Sequence, residues 1–307
     1  MNKILIKNKN DTFNIDIEKL LKTLEKYKIK VFELKKIQYG WKNICFSIKT
    51  INNKKLFIKC FDTKKAINNE IQIYKIVKET VSVPKLFYAI KSKDLNILVY
   101  EYVLESIPFF EYEKHINNQN IEEIFSNIAK SLAIIHNIRS DKYNKLNVPD
   151  FSSWYKIFLT KNNVIKQLGY KRKNKIEWLD NYYKKFFSTI EEYKSFCHCD
   201  FKSNNILIKN DLSPCIIDWE FASYCYSFLD IGQLFREKEI YSNKFLINIF
   251  QDSYNDIANK NLPDNWDIFI KLVDLGNLLE MLSRKIDLEQ NKKVIKVIDD
   301  YLDYLTQ

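Results

Sequence analysis

Apolar and polar side chains alternate with a two-residue period between residues 31 and 50 of the chain. The alternation is clearest in Val31–Leu34 and Ile44–Ile48, and such alternation is typical of strands that bury one face. A third strand is predicted over Leu56–Phe61. Apolar residues then recur every three or four positions between 64 and 78, which predicts an amphipathic helix. A last strand over residues 96–102 completes a small antiparallel sheet with one main helix.

Beyond residue 104 the hydrophobic period becomes that of helices. Four segments repeat apolar residues at helical spacing: 121–138, 176–193, 242–258 and 266–283. The exception is a strand–loop–strand island between Phe196 and Phe221. The pattern therefore predicts an α+β protein of two lobes, with a small sheet lobe at 1–103 and a larger, mostly helical lobe at 104–307.

The composition is that of a globular chain, since 46% of the 307 residues are hydrophobic and 15% are aromatic. No apolar run approaches the ~20 residues that span a bilayer, and the amino-terminal residues lack the apolar core of a secretory signal. We therefore expect a cytoplasmic protein with no membrane partner. The six cysteines include no C-x-x-C pair, so we expect free, mostly buried thiols and no zinc site.

The formal net charge of +10 raises the question of an anionic partner. The densest basic stretch is Lys161–Lys175, which holds six Lys or Arg and no acid. A solvated helix face or loop explains such a stretch, and so does contact with nucleic acid or a membrane. Because no nucleic-acid-binding module accompanies it, we expect no nucleic-acid partner. The sequence leaves the role of this stretch and the oligomeric state open.

The strand–loop–strand island concentrates polar residues that suit phosphoryl transfer. Asp200 and Asn205 lie five residues apart, and Asp218 follows a second apolar strand. Phosphoryl transfer needs a carboxylate beside the acceptor hydroxyl, and oxygen ligands that hold Mg²⁺ against the phosphates. Asp200 can supply the first, while Asn205 and Asp218 can supply the second.

The spacing HxDxxxxN from His198, followed by IDWE at 217–220, resembles the catalytic and metal motifs of the aminoglycoside phosphotransferase and choline kinase superfamily. The resemblance implies a bilobal protein-kinase-like fold. It also implies transfer of the γ-phosphoryl group of ATP or GTP, with Mg²⁺, to a small-molecule hydroxyl. Asp200 then resembles the catalytic base, Asn205 and Asp218 the Mg²⁺ ligands, and His198 the histidine that braces the loop.

Three further residues are similar to family positions. Lys202, two residues after Asp200, resembles the lysine that steadies the transferred phosphate in protein kinases, and a solvated lysine is the alternative. Asp230 lies in the segment SFLDIGQLFR, which resembles the family segment that anchors the catalytic loop. His136 ends the segment LAIIH and resembles a packed histidine at a helix end.

On the nucleotide side, the resemblance places a cation on the third strand and an acid on the following helix. Lys59 and Glu70 occupy these positions, and we expect an ion pair between them to orient the lysine for the phosphates of the nucleotide.

Two backbone segments complete the expected nucleotide site. The strand 98–103 resembles the hinge, where adenine would bond to the backbone near Glu101 and Val103. The turn that runs from Gly40 to Asn43 is similar to the Gly-x-x-Asn turns that cover phosphates in the phosphotransferases.

The leading hypothesis is a small-molecule kinase of the aminoglycoside phosphotransferase type, with a choline or ethanolamine kinase as the alternative. A protein kinase is disfavoured because Cys199 stands where the arginine of HRD would be. A non-catalytic nucleotide-binding pseudokinase is kept as a second class. The acceptor and the nucleotide preference stay open, although Asp264 and Asp267, which flank Trp266, are candidates for an acceptor pocket.

Overall fold

A computed structural model of the chain describes residues 5–7, 13–37, 43–92, 95–113, 120–139, 150–236, 240, 242–284 and 288–306. The chain forms two compact units. The first unit draws on Met1–Ser106 and Cys215–Glu220, and the second unit on Ile107–Pro214 and Phe221–Gln307. The first unit therefore takes back six residues from much later in the chain.

The first unit is built on a five-stranded antiparallel sheet. Its elements are β1 (Leu5–Lys7), β2 (Asn14–Asp16), α1 (Ile17–Lys26), β3 (Val31–Ile37), β4 (Ile44–Thr50), β5 (Lys55–Phe61), α2 (Lys64–Val77), β6 (Leu86–Lys91) and β7 (Asn96–Glu101). The strand order is β3-β4-β5-β7-β6, and β1 pairs separately with β2. The registers β4–β5 and β5–β7 set Lys59 opposite Cys45 on one side and Leu98 on the other, so the lysine lies on the central strand.

Local signals explain where the two helices of the first unit begin. The side chain of Asp16 accepts a hydrogen bond from the Lys19 amide at 3.1 Å at the start of α1. Thr63 does the same for the Ala66 amide at 3.2 Å at the start of α2. Both are N-caps, which satisfy backbone donors that the first helical turn leaves open.

The inward face of α2 carries one polar residue among apolar ones. Its buried positions are Ile67, Glu70, Ile73 and Val77, at spacings of three and four. Ile67 belongs to a cluster with Phe61, Leu98 and Tyr100 of the sheet, so Glu70 is held inside an apolar interface by its helical register.

The second unit is mostly helical. Its helices are α3 (Phe109–Glu113), α4 (Ile121–His136), α5 (Phe151–Leu159), α6 (Asn162–Leu168), α7 (Tyr170–Tyr182), α8 (Phe187–Glu191), α9 (Ser227–Leu234), α10 (Lys244–Asn255), α11 (Trp266–Ser283) and α12 (Leu288–Leu305). Its strands include β9 (Lys194–Cys197), β10 (Ile206–Lys209) and β12 (Ser223–Tyr226), and β8 (Ser106–Pro108) and β11 (Pro214–Ile216) lie where the chain passes between units. Strand β12 pairs antiparallel with β9.

One predicted helix of the second unit is wrong in extent. The segment predicted as a helix over 176–193 is broken, because α7 ends at Tyr182, a 3₁₀ turn occupies Lys184–Phe186 and α8 ends at Glu191. Within the described residues, no helix combines the length and the apolar character needed to cross a membrane.

A glycine allows α9 and α11 to approach each other closely. A Cβ atom at Gly232 would lie 2.6 Å from the Ile270 carbonyl oxygen and 2.9 Å from the Asp274 Cβ, and such distances are sterically forbidden. This contact brings Asp274 of α11 against α9.

Candidate active site

Lys59 is a buried cation surrounded by acids of the first unit. Its side chain is 5% exposed, and its Nζ lies 2.7 Å from Glu70 Oε2, 2.6 Å from Asp218 Oδ1 and 3.7 Å from Glu220 Oε2. The predicted ion pair between Lys59 and Glu70 is therefore present. Burial opposes the ammonium form, but the charges of Asp218, Glu70 and Glu220 outweigh it and raise the pKa of Lys59 well above its usual value.

Glu70 is fixed by a second partner that the sequence did not suggest. The Tyr100 hydroxyl donates to Glu70 Oε1 at 3.0 Å, while Glu70 Oε2 accepts from Lys59. Burial raises the pKa of Glu70 despite the neighbouring lysine, and burial likewise raises the pKa of Tyr100 well above its usual value. Each oxygen of this buried carboxylate has a donor, as burial requires.

Asp218 and Glu220 reach the lysine from the returning segment Cys215–Glu220. Asp218 has a φ of 64°, a conformation that non-glycine residues adopt at a cost and that often marks functional positions. Glu220 Oε2 accepts a short hydrogen bond from Asn43 Nδ2. Asn43, from the turn predicted to cover phosphates, is therefore joined to the last residue of the IDWE segment, whereas Gly40 lies outside the described residues.

The chemistry of these donors fits a divalent cation. Three carboxylates surround one ammonium group, which leaves an excess of two negative charges in the acid cluster. Asn43 Oδ1 is also buried, with no hydrogen-bond partner among the described residues. Oxygen ligands in excess of the available protein cations are the environment that Mg²⁺ prefers, and Asp218 is the most exposed of the three acids, at 37%.

The predicted catalytic residues of the second unit lie together in one loop. Lys202 Nζ is 3.0 and 2.7 Å from the two carboxylate oxygens of Asp200. Asn205 Nδ2 donates to the Asp200 carbonyl oxygen at 2.9 Å and to Asp200 Oδ2 at 2.8 Å. Both hydrogen bonds use the amide nitrogen of Asn205, which leaves its Oδ1 as the atom that could ligate a metal.

The Asp230 side chain anchors this loop by accepting hydrogen bonds from the backbone of the loop, as the resemblance predicts. Its fully buried carboxylate accepts from the His198 amide and from the Cys199 amide, each at 2.7 Å. Cys199 has a φ of 61°, so the chain makes a strained turn immediately before Asp200. Two charge-assisted hydrogen bonds to consecutive amides hold that turn in place.

His136 supports the anchor from the end of α4. Its Nε2 lies 3.3 Å from Asp230 Oδ2, and its Nδ1 lies 2.7 Å from the Tyr254 hydroxyl. The side chain of His136 is 3% exposed, which matches the predicted packed histidine at a helix end. The free cysteines predicted from the sequence are also present, and five of the six are buried.

Gln233 is a loop-holding residue to which the sequence analysis gave no role. Its Oε1 accepts from the Phe201 amide at 2.6 Å, and its Nε2 donates to the Cys199 carbonyl at 3.2 Å. The side-chain amide therefore bridges the residues on either side of Asp200. Gln233 follows Asp230 by three residues on α9, and that spacing keeps both side chains on one helix face. From this spacing, a contact of Gln233 with the same loop could have been predicted.

A buried ion pair lies beyond the loop. Arg236 donates to both oxygens of Asp274, at 2.8 and 2.6 Å, and the Tyr301 hydroxyl donates to Asp274 Oδ2 at 3.0 Å. Burial opposes the charge on Arg236, but Asp274 outweighs it and raises the pKa of the guanidinium, and Asp200 adds to the effect. No motif marked Asp274 in the sequence.

The structure also describes the residues predicted for the adenine hinge and for the acceptor pocket. The Glu101 amide donates to the Lys85 carbonyl at 2.8 Å within the sheet, and the Val103 carbonyl accepts from the Ser106 hydroxyl at 2.9 Å. Asp267, a candidate for the acceptor pocket, instead accepts a hydrogen bond from Tyr304, and Trp266 is buried.

The solved structures that share this fold include small-molecule phosphotransferases. Spectinomycin phosphotransferase in complex with ADP and spectinomycin superposes with a TM-score of 0.65 and 15% identity, over 94% of this chain and 97% of that one. A choline kinase from Streptococcus pneumoniae gives a TM-score of 0.67 and 18% identity, over 94% and 99%. The predicted α+β, bilobal protein-kinase-like fold is confirmed. It is the fold of the kinase-like phosphotransferases.

Within that class the family is also clear. The family profile described as choline/ethanolamine kinase matches residues 34–271, and the chain belongs to this family. Ethanolamine kinase 2 of Mus musculus is 28% identical over 177 residues, which are 55% of this chain and 42% of the mouse protein. The matched region thus spans less than half the length of that relative.

Proposed function

We propose that the protein is a small-molecule kinase that transfers the γ-phosphoryl group of ATP to a hydroxyl group of its acceptor. The observation that carries the proposal is the pair of contacts made by Lys59, whose ammonium group lies 2.7 Å from Glu70 and 2.6 Å from Asp218. A buried lysine oriented by a helix glutamate is the arrangement that kinases use to hold nucleotide phosphates. Membership of the choline/ethanolamine kinase family supports the same activity.

In the proposed reaction, Asp200 orients the acceptor hydroxyl and accepts its proton. Asn205 Nδ2 donates to Asp200 Oδ2, so the carboxylate has a fixed direction before substrate arrives. Lys202 contacts both oxygens of Asp200, and its ammonium group stabilises the carboxylate and the phosphoryl oxygens that approach it. The buried carboxylate of Asp230 keeps the loop in register.

The first unit supplies the charge that nucleotide phosphates need. Lys59 neutralises phosphate oxygens, and Asp218 would be the Mg²⁺ ligand that this unit provides, with Glu220 close to it in sequence. When bound, Mg²⁺ neutralises the charge of the transferred group and of the leaving group. The excess negative charge of the acid cluster supports this assignment.

An amino alcohol such as choline or ethanolamine is the acceptor class that the family match favours. An aminoglycoside is the alternative, because spectinomycin phosphotransferase has the same fold. In a non-catalytic pseudokinase, no acceptor would use the network formed by Asp200, Asn205 and Lys202.

The test is ATP-dependent phosphorylation of ethanolamine, choline and a set of aminoglycosides by the purified chain, with and without Mg²⁺. The variant Asp200→Asn should lower turnover by about 10³-fold or more, since it removes the base, while ATP still raises its melting temperature. The matched control is Asp252→Asn, which changes an exposed helix carboxylate and should leave turnover unchanged. ATP binding without transfer to any acceptor, in both the parent chain and the control, would instead support the pseudokinase.

A further inference from the structure

One segment of the second unit carries most of the net charge of the protein. Residues 156–185, from α5 to the 3₁₀ turn before α8, contain nine Lys or Arg and two acids. They therefore supply seven of the ten net positive charges of the chain. We call the exposed part of this segment the basic helical surface.

Only part of this charge is neutralised by acids. Three pairs form at N···O distances of 2.5 to 3.6 Å: Arg172 with Asp299, Lys173 with Glu177, and Lys175 with Asp303. The stretch Lys161–Lys175 contains no acid itself, but three of its cations are paired because a later part of α7 and α12 supply the partners. The other six are lysines, all exposed, without an ion-pair partner among the described residues: Lys156, Lys161, Lys166, Lys171, Lys184 and Lys185.

Exposed aromatic side chains lie among these lysines. Tyr170 is 76% exposed, Trp178 48% and Tyr182 55%. The Trp178 and Tyr182 rings stack with centroids 4.8 Å apart and an interplanar angle of 18°. Tyrosine and tryptophan combine an apolar ring with a polar tip, which is why they concentrate at the headgroup depth of bilayers.

A shallow cavity on this surface is lined by both lysine and aromatic side chains. It has a volume of about 490 Å³ and is lined by Lys171, Asn174, Lys175, Trp178 and Thr306. On α7 the four helical lining residues follow one another at spacings of three, one and three positions, so they share one face. An anionic headgroup placed here would meet ammonium groups and an indole ring together.

We propose that the basic helical surface docks the protein peripherally on a bilayer that contains anionic phospholipid. The compact ammonium charge of lysine is attracted to an anionic membrane surface as strongly as that of arginine, whereas nucleic-acid recognition favours the planar fork of arginine. Eight of the nine cations are lysines, and the one arginine, Arg172, is held by both oxygens of Asp299. Peripheral contact needs no spanning helix, so the proposal revises only the expectation that the protein has no membrane partner.

The experiment is co-sedimentation of the full chain with vesicles at 0.1 M and 1 M salt. Vesicles of phosphatidylcholine alone are compared with vesicles that contain about one third phosphatidylserine. We expect binding only to the anionic vesicles, and loss of that binding at 1 M salt, where the screening length falls to about 3 Å. Equal binding to both vesicle types would overturn the proposal.

Paired variants locate the contact. Lys166→Glu with Lys171→Glu should weaken vesicle binding by about 25-fold or more, since each lysine near an anionic surface contributes about fivefold and the two new carboxylates add repulsion. The matched control is Lys22→Glu with Lys30→Glu, which makes the same charge change at exposed positions of the first unit and should bind as the parent chain does. Equal losses in both pairs would show that net charge alone is responsible.

Two further outcomes bear on the choice of partner. Trp178→Ala should also weaken vesicle binding and leave a smaller change in tryptophan fluorescence on addition of anionic vesicles. Tighter binding to single-stranded RNA than to anionic vesicles at equal salt would reject the membrane assignment. None of the substituted residues belongs to the proposed kinase site, so phosphorylation by these variants should be unchanged, and failure of either proposal leaves the other intact.

Discussion

Lys271 of α11 provides a pH-dependent test of how the second unit is packed. The residue is 2% exposed, its Nζ lies 3.3 Å from the Asp267 carbonyl oxygen, and it lies 3.9 Å from the centroid of the Tyr304 ring. Burial disfavours the ammonium form and, against the opposing charge of Asp267, lowers the pKa of Lys271 to about 8. The folded chain therefore loses a proton at a pH where the unfolded chain keeps it.

The direction and size of the effect follow from this pKa. An ordinary lysine titrates at 10.5, so between about pH 8 and 10.5 the unfolded state binds more protons, and the free energy of unfolding rises with pH. At pH 7 the charge on Lys271 costs the folded state about 3 kcal/mol, and by pH 9.5 the cost falls to about 1.5 kcal/mol.

The perturbation is Lys271→Met, which keeps an unbranched side chain and removes the charge. Its free energy of unfolding, measured by urea denaturation, should exceed that of the parent chain, and the excess should shrink by about 1.5 to 2 kcal/mol between pH 7 and pH 9.5. This pH-dependent part is diagnostic because any change in packing is the same at both pH values. Lys293→Met, at an exposed position of α12, should show no such change.

A difference between Lys271→Met and the parent chain that stays constant from pH 7 to pH 9.5 would refute the reasoning. It would mean that the ammonium group keeps an ordinary pKa through its contacts with Asp267 and Tyr304, and that α11 does not bury the charge.

Two further predictions concern helix packing and the loop anchor. Gly232→Ala should lower the free energy of unfolding by about 1–3 kcal/mol, because its Cβ would lie 2.6 Å from the Ile270 carbonyl oxygen; a urea midpoint at or above that of the parent chain would contradict the close approach. Asp230→Asn should lower phosphotransfer by roughly 10- to 100-fold, because an asparagine cannot accept from the His198 and Cys199 amides through two charged oxygens. Its ATP affinity, measured by calorimetry, should stay within about twofold of the parent value, and a matching loss of affinity would show general unfolding.

The elements that the sequence predicted well are those with a single buried face. The helix predicted over 64–78 is observed as Lys64–Val77, and the segment predicted over 266–283 is observed as Trp266–Ser283. Strand β6 was missed, because most of its side chains are partly or fully exposed and leave no clean alternation. The strands of three residues at the amino-terminal end, β1 and β2, are too short to show a period.

The residues of the candidate site also fall into those that the sequence could predict and those that it could not. Asp200, Lys202 and Asn205 could be predicted together because they lie within one short loop, where sequence spacing fixes spatial proximity. The pair Arg236 and Asp274 could not, because its members come from segments 38 residues apart. Only the packing of α9 on α11 brings them together, and no local pattern encodes that packing.

The return of Cys215–Glu220 to the first unit has a consequence for how the chain is made. The acid cluster on Lys59 includes Asp218 and Glu220, which follow Ser106 by more than a hundred residues. At a synthesis rate of about 5–20 residues per second, that gap lasts on the order of ten seconds. During this interval the nascent sheet carries Lys59 with Glu70 as its acidic partner. The first unit is therefore completed late in translation, after much of the second unit has left the ribosome.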